Sequence, residues 1–229
     1  MKKCTFCYCV LPILLLLVTC GQDTPTSVSP SAVQTEITLA KNTNTVGVTF
    51  FRVPDVTTPG GVPAPNFGQL VTGATSKITR NANGIRVDIE TSELPPGAYS
   101  VWAIIDDDGV GGPDMGRRVT GGIVGANGKG VFDAFIAAGP LPVGPNPNGG
   151  DFVTILFSDD NSFDNPMGAT IFFVIRQHGP VVPSMVDEQT NTFGGGCSND
   201  FSAVAPNVVP TGVGPNVCFD PQITEIHEP

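Results

Sequence analysis

From about residue 41 onward, the apolar positions of the chain come in short bursts cut by Gly and Pro. Ile85-Arg86-Val87-Asp88-Ile89-Glu90 alternates apolar and charged residues, the pattern of a strand with one buried and one wet face. Tyr99 to Ile105 (YSVWAII) is apolar on both faces, as a central strand covered on either side must be. The same criteria predict strands at Val46 to Val53, within Gln69 to Arg80, and at Arg118 to Val124, Val131 to Ala137, Phe152 to Ser158 and Ala169 to Gln177, with a last edge strand at Gln222 to His227. Leu94-Pro95-Pro96-Gly97 reads as a turn, and Asn127-Gly128 between two apolar runs predicts a hairpin. No stretch sustains a helical period over three turns. The expected fold is therefore all-β: an antiparallel β-sandwich, with a β-barrel as the alternative, and long Gly/Pro-rich loops. Three stretches lack strand signal, namely Asp106 to Gly116, Gly139 to Gly150 and Gly179 to Val217. Loops of that length are expected to be functional, stapled or disordered.

The N-terminus follows another logic. Lys2 and Lys3 precede the apolar run Val10 to Val18, and Thr19, Cys20 and Gly21 are small residues at its exit. This is the order of a secretory signal peptide over residues 1–19. The run is too short for a spanning helix, which needs about 20 apolar residues. Leu17-Val18-Thr19-Cys20 resembles the bacterial lipobox, which implies cleavage before Cys20 and lipid on its thiol. Thr19 departs from the Gly, Ala or Ser usual there. A cut after Gly21, which would release a soluble secreted protein, stays open. Gly21 in place of Asp resembles the sorting pattern for an outer membrane. Exported, anchored at the outer membrane or cell surface, is thus the expected location. Residues 20–40, rich in Thr, Ser and Pro, read as a tether, and 41–229 as a single β domain.

Composition narrows the partners. The net charge is −10, and loss of Lys2 and Lys3 with the signal makes the domain more acidic still. That argues against nucleic acid and anionic headgroups as partners, and leaves membrane contact to the N-terminal lipid. The 28 Gly and 22 Pro fit a turn-rich β protein. Of the six cysteines, Cys4, Cys7 and Cys9 leave with the signal and Cys20 takes lipid, so Cys197 and Cys218 remain to pair in an oxidising compartment. The loop they close stabilises by about 3 kcal/mol in the chain-entropy view.

Asp106-Asp107-Asp108-Gly109, with Asp114 beyond, is the sharpest polar feature. Ca²⁺ takes roughly six to eight oxygens, and carboxylates on a Gly-bent loop supply several, although the spacing is not that of an EF-hand. The bland reading is a solvated acidic turn. Asp159, Asp160, Asn161 and Asp164 form a second acidic stretch with the same two readings. The two histidines, His178 and His227, lack the sequence signatures of a zinc protease or a serine-hydrolase elbow. His178 reads first as a strand-end residue and second as a general base. A non-enzymatic binding or structural module is therefore the leading expectation. A Ca²⁺-dependent adhesion or carbohydrate-binding domain, and a hydrolase with a carboxylate or His178 centre, are its rivals.

Thr79-Arg80-Asn81-Ala82-Asn83-Gly84-Ile85, Leu94-Pro95-Pro96-Gly97-Ala98-Tyr99-Ser100-Val101-Trp102, Gly128-Lys129-Gly130-Val131-Phe132, Ile175-Arg176-Gln177-His178-Gly179-Pro180, Asp187-Glu188-Gln189 and Phe193-Gly194-Gly195-Gly196-Cys197 follow one another in a fixed order. Together they resemble a family of functionally uncharacterised exported microbial β-domain proteins, with a fainter similarity to CHRD-type extracellular domains. The resemblance implies a β-sandwich and no particular activity.

Overall fold

Eleven short strands and one short helix account for the regular structure in the computed structural model, which describes residues 42–50, 68–110, 112–140, 155–158, 162–198 and 214–229. The signal segment 1–19, Cys20, the tether 20–40 and Asp159, Asp160 and Asn161 of the second acidic stretch lie outside the described residues. So do residues 51–53 and 152–154 of two expected strands, and most of the Gly139 to Gly150 loop. No helix among the described residues is long and apolar enough to cross a membrane.

The strands are β1 (Asn42–Phe50), β2 (Leu70–Asn81), β3 (Gly84–Thr91), β4 (Gly97–Asp106), β5 (Met115–Val124), β6 (Gly130–Ala137), β7 (Gly139–Pro140), β8 (Ile155–Ser158), β9 (Ser162–Phe163), β10 (Thr170–Gln177) and β11 (Phe219–Thr224). A 3-10 turn, Pro183–Met185, leads into α1 (Val186–Asn191). Nine strands form one antiparallel sheet in the order β6-β3-β2-β1-β11-β10-β4-β5-β8, and β7 pairs with β9 apart from it. The sheet curls until β5 packs beside β6, so eight of its strands make a nearly closed barrel. Of the two expected architectures, near-closure is the barrel side.

The interior is built by strand alternation. Ile85, Val87 and Ile89 on β3, Tyr99, Val101, Ala103 and Ile105 on β4, and Ile171, Phe173 and Ile175 on β10 point inward into one apolar core. Arg86 and Glu90, at the alternate positions of β3, are exposed. Burial of a large apolar side chain contributes about 1.5–3 kcal/mol, so this lining is the main source of stability.

Two expectations need correction. The last strand is not an edge. It begins at Phe219, ends at Thr224, and sits between β1 and β10 in the middle of the sheet. Its residues Asp220, Gln222 and Thr224 are polar but buried, so an apolar-count reading places it outside. The Asn127-Gly128 turn forms, with Gly128 N–H donating to Gly125 O, yet β5 and β6 do not ladder as a hairpin. Instead β5 pairs with β4 and β8, β6 pairs with β3, and Leu94 N–H donates to Gly128 O. The turn is thus tied to the β3–β4 connection, and the strands on either side of it pack together without laddering.

Candidate functional site

β4 is buried on both faces for two different reasons. Its inward face meets the barrel core, whereas Ser100 and Trp102 face outward and are still 0% and 1% exposed. The cover comes from the chain after β10. Gly179, at φ 77°, turns it back; α1 lies over β4 and β5, with the 3-10 turn leading into it; and Cys197 is joined by a disulfide to Cys218 just before β11. α1 approaches β5 so closely that a Cβ on Gly121 would fall 2.0 Å from Thr190 O. Nearby, the β4 turn meets the same segment: Gly97 would place a Cβ 2.3 Å from Gly179 O, Ala98 N–H donates to Gly179 O, and Tyr99 Oη donates to Pro95 O.

Under this cap lies a continuous polar chain. Trp102 Nε1–H donates to Ser100 Oγ at 2.8 Å, and Ser100 Oγ lies 2.7 Å from His178 Nε2. His178 Nδ1 lies 2.8 Å from Gly195 O, which can only accept. Nδ1 therefore carries the proton, Nε2 accepts from the Ser100 hydroxyl, and every polar atom of the chain is satisfied. Burial, aided by the Arg176 charge and opposed by the Gly195 bond, pushes the His178 pKa down to about 3. Arg176, equally buried, pairs with Asp220 at 2.8 Å, donates from Nε to Phe193 O, and lays its guanidinium 3.8 Å from the centre of the Phe193 ring. Phe193 also meets Trp102 edge-on at 5.2 Å. Gln189, buried on α1, accepts from Val182 N–H and donates to the carbonyls of His178 and Pro180. Gly97, Trp102, Arg176, His178, Gln189, Phe193 and Cys197, far apart in sequence, thus meet in or beside one buried region.

A second serine–histidine pair closes one end of the barrel. Ser76 Oγ lies 2.8 Å from His227 Nε2, and the His227 ring stacks edge-on to Phe173 at 5.6 Å. Arg80, 1% exposed, donates to the carbonyls of Pro166, Ala169, His227 and Glu228 and so pins the C-terminal segment. Burial, with the Arg80 charge adding to it, lowers the His227 pKa to about 4. His227 Nδ1 has no hydrogen-bond partner among the described residues.

The acidic loop joins β4 to β5. Asp106, Asp108 and Asp114 bring carboxylate oxygens within 4.8 Å of one another, and these three could hold a cation. Asp107 does something else: its Oδ2 accepts from the backbone N–H groups of Asp164 and Asn165, docking the second acidic stretch. Burial, with the neighbouring Asp114 as a further cause, raises the Asp107 pKa. Backbone donors already use one oxygen on each of the other three. Asp114 Oδ2 accepts from Asp107 and Asp108 N–H, Asp106 Oδ1 from Gly109 N–H, and Asp108 Oδ1 from Val110 N–H. The free oxygens number too few to fill a Ca²⁺ shell of roughly six to eight without water.

Chemically, the Ser100–His178 distance is that of a serine activated by a base, but a nucleophile must reach its substrate. Both residues are 0% exposed, and Ser100 Oγ is occupied by Trp102. No family model matches the chain, and neither curated proteins nor solved structures give a match. Ser100, Ser76, Arg80 and Gln189 were not marked as site residues by sequence reasoning. The available signal was a polar residue inside a stretch that must be buried, such as Ser100 in an otherwise apolar strand.

Proposed function

We propose that this chain is an exported β-barrel module, held at the outer membrane or cell surface by lipid on Cys20, that acts as a non-enzymatic binding or structural element. One observation carries this reading: the chain's only two histidines are both fully buried and bonded to serine. Their depressed pKa values keep them neutral, and the residues around His178 are spent on holding a cap to the barrel. The acidic charge favours neutral or basic partners over nucleic acid. The test is a pair of measurements on the full chain. Membrane fractionation should show Cys20→Ser in the soluble fraction, and purified protein should turn over no ester or glycan substrate. Turnover that disappears with His178→Asn would overturn the non-enzymatic reading, and membrane association unchanged by Cys20→Ser would overturn the anchor.

Convergence of Asp106, Asp108 and Asp114 favours a second reading, a Ca²⁺-dependent adhesion or carbohydrate-binding domain. A ligand that binds only the native state must raise its melting temperature. A Tm identical in millimolar Ca²⁺ and in chelator removes this reading.

A further inference from the structure

We propose that reduction of the Cys197–Cys218 bond turns the covered corner of the barrel into a binding site for one Zn²⁺ ion, ligated by both thiolates and by His178 Nδ1. His178 Nδ1 lies 3.5 Å from Cys197 Sγ and 4.0 Å from Cys218 Sγ. One ligand atom from each of the three residues falls within 4.8 Å of the others. A tetrahedral zinc needs its sulfurs at about 2.3 Å and its nitrogen at about 2.0 Å, so sub-ångström to ångström shifts of the two freed sulfurs complete the set. Gly195 O, 2.8 Å from Nδ1 and 3.5 Å from Cys197 Sγ, is placed to give a fourth, oxygen ligand.

The surroundings suit a closed metal site. Cys197 and His178 are 0% exposed and Cys218 is 4% exposed. A metal-bound histidine needs a partner for its other ring nitrogen to fix the ring, and Ser100 Oγ already stands 2.7 Å from Nε2. On metal binding the ring proton moves from Nδ1 to Nε2, and Ser100 Oγ then accepts from both His178 and Trp102. Two thiolates and one Zn²⁺ sum to zero charge, and Arg176 beside them is neutralised by Asp220, so no net charge is buried.

The steps balance. A dithiol reductant transfers two electrons and two protons to the disulfide, giving two cysteine thiols and the oxidised dithiol. Zn²⁺ then binds and the two thiol protons leave to solvent. The metal replaces the covalent bond as the link between the cap and β11.

The experiment compares the mature chain before and after reduction by a dithiol and its removal under nitrogen. The probes are Zn²⁺ and, for its visible spectrum, Co²⁺. The reduced chain should bind one Zn²⁺ more per molecule than the oxidised chain, and its Co²⁺ complex should show a thiolate charge-transfer band. His178→Asn, checked for its fold in the oxidised form, should weaken Zn²⁺ binding at least about tenfold, and Ser100→Ala, a positioning change, by about tenfold. The Cys197→Ser/Cys218→Ser chain should show no band. Equal Zn²⁺ uptake by both redox forms, a Co²⁺ complex without the band, or unchanged affinity in His178→Asn overturns the proposal. If reduction loosens the fold, Zn²⁺ should restore the Tm, and failure to do so counts against the proposal equally.

Discussion

The two serine–histidine pairs are chemically alike and structurally opposite. Ser100–His178 sits on the outer face of the sheet under a cap stapled by a disulfide, with both ring nitrogens bonded. Ser76–His227 sits at one end of the barrel, where the C-terminal segment returns, with Nδ1 unsatisfied among the described residues. The first belongs to a polar network that extends through Trp102 and Gly195. The second leans on a ring contact with Phe173 and on Arg80 holding the backbone of its segment. The difference teaches that hydrogen-bond completeness, not distance, sets what such a pair contributes. A fully satisfied network has more to lose when one member goes.

Ser100→Ala should therefore have the largest effect. It strands Trp102 Nε1–H and His178 Nε2 together, and each buried orphan costs about 1–3 kcal/mol, so a loss of about 4 kcal/mol is expected by denaturant unfolding. A loss below about 1 kcal/mol would show that the network is not intact in solution.

Acid comes next. The folded pKa of His178, about 3, lies below the unfolded value, so its neutral form stabilises the fold fully above about pH 6.5. That stability is lost as pH falls, at about 1.4 kcal/mol per unit, or about 3 kcal/mol by pH 4. His227 adds the same sign of loss over the window from 6.5 down to its folded value of about 4. Asp107, raised instead of lowered, opposes the trend. Unfolding free energies measured from pH 7 to 4 should fall steadily, and more steeply in the parent than in His178→Asn. A flat profile would mean that neither ring is buried neutral.

How much of this was legible beforehand depends on what the pattern encodes. Alternation located β3 because its inward residues are apolar, and a run apolar on both faces located β4. The Trp102 strand was read as central, and it is, between β10 and β5. Pairing of Cys197 with Cys218 followed from compartment and count, and the bond is present. β11 was misplaced because Asp220, Gln222 and Thr224 are buried through hydrogen bonds, not through hydrophobicity. Gln222, for example, accepts from Thr91 Oγ1 and donates to Ser92 O. The six-residue α1 is too short to show a helical period, and it is held by Gln189 and by contact with β5 instead. The four aspartates were grouped by sequence, but Asp107 also docks the Asp164 stretch through its carboxylate, whereas Asp106, Asp108 and Asp114 bring oxygens together. Burial of polar atoms is decided by partners distant in sequence, and a single sequence does not print those.

The disulfide gives a sharper cut between the two pairs. Replacing Cys197 and Cys218 together by Ser should cost about 3 kcal/mol, in line with the loop of 21 residues that it closes. Amide exchange should then quicken in α1 and in 192–198, while β2 and β3 keep their protection. Uniform quickening would mean that cap and barrel open as one unit.

Ser76→Ala is the smallest effect and the most telling about the comparison. It removes the one hydrogen bond of the His227 ring, whose Nδ1 is already unsatisfied, so it adds a single orphan, not two. The C-terminal segment stays pinned, because Arg80 holds it through the carbonyls of His227 and Glu228, which the substitution leaves in place. The expected loss is about 1–2 kcal/mol, roughly half that of Ser100→Ala. Near-additivity with Ser100→Ala is also expected, since the two serines lie on opposite faces of the sheet and share no partner. A Ser76→Ala loss equal to that of Ser100→Ala would mean that an ordered water completes the second pair as Gly195 completes the first.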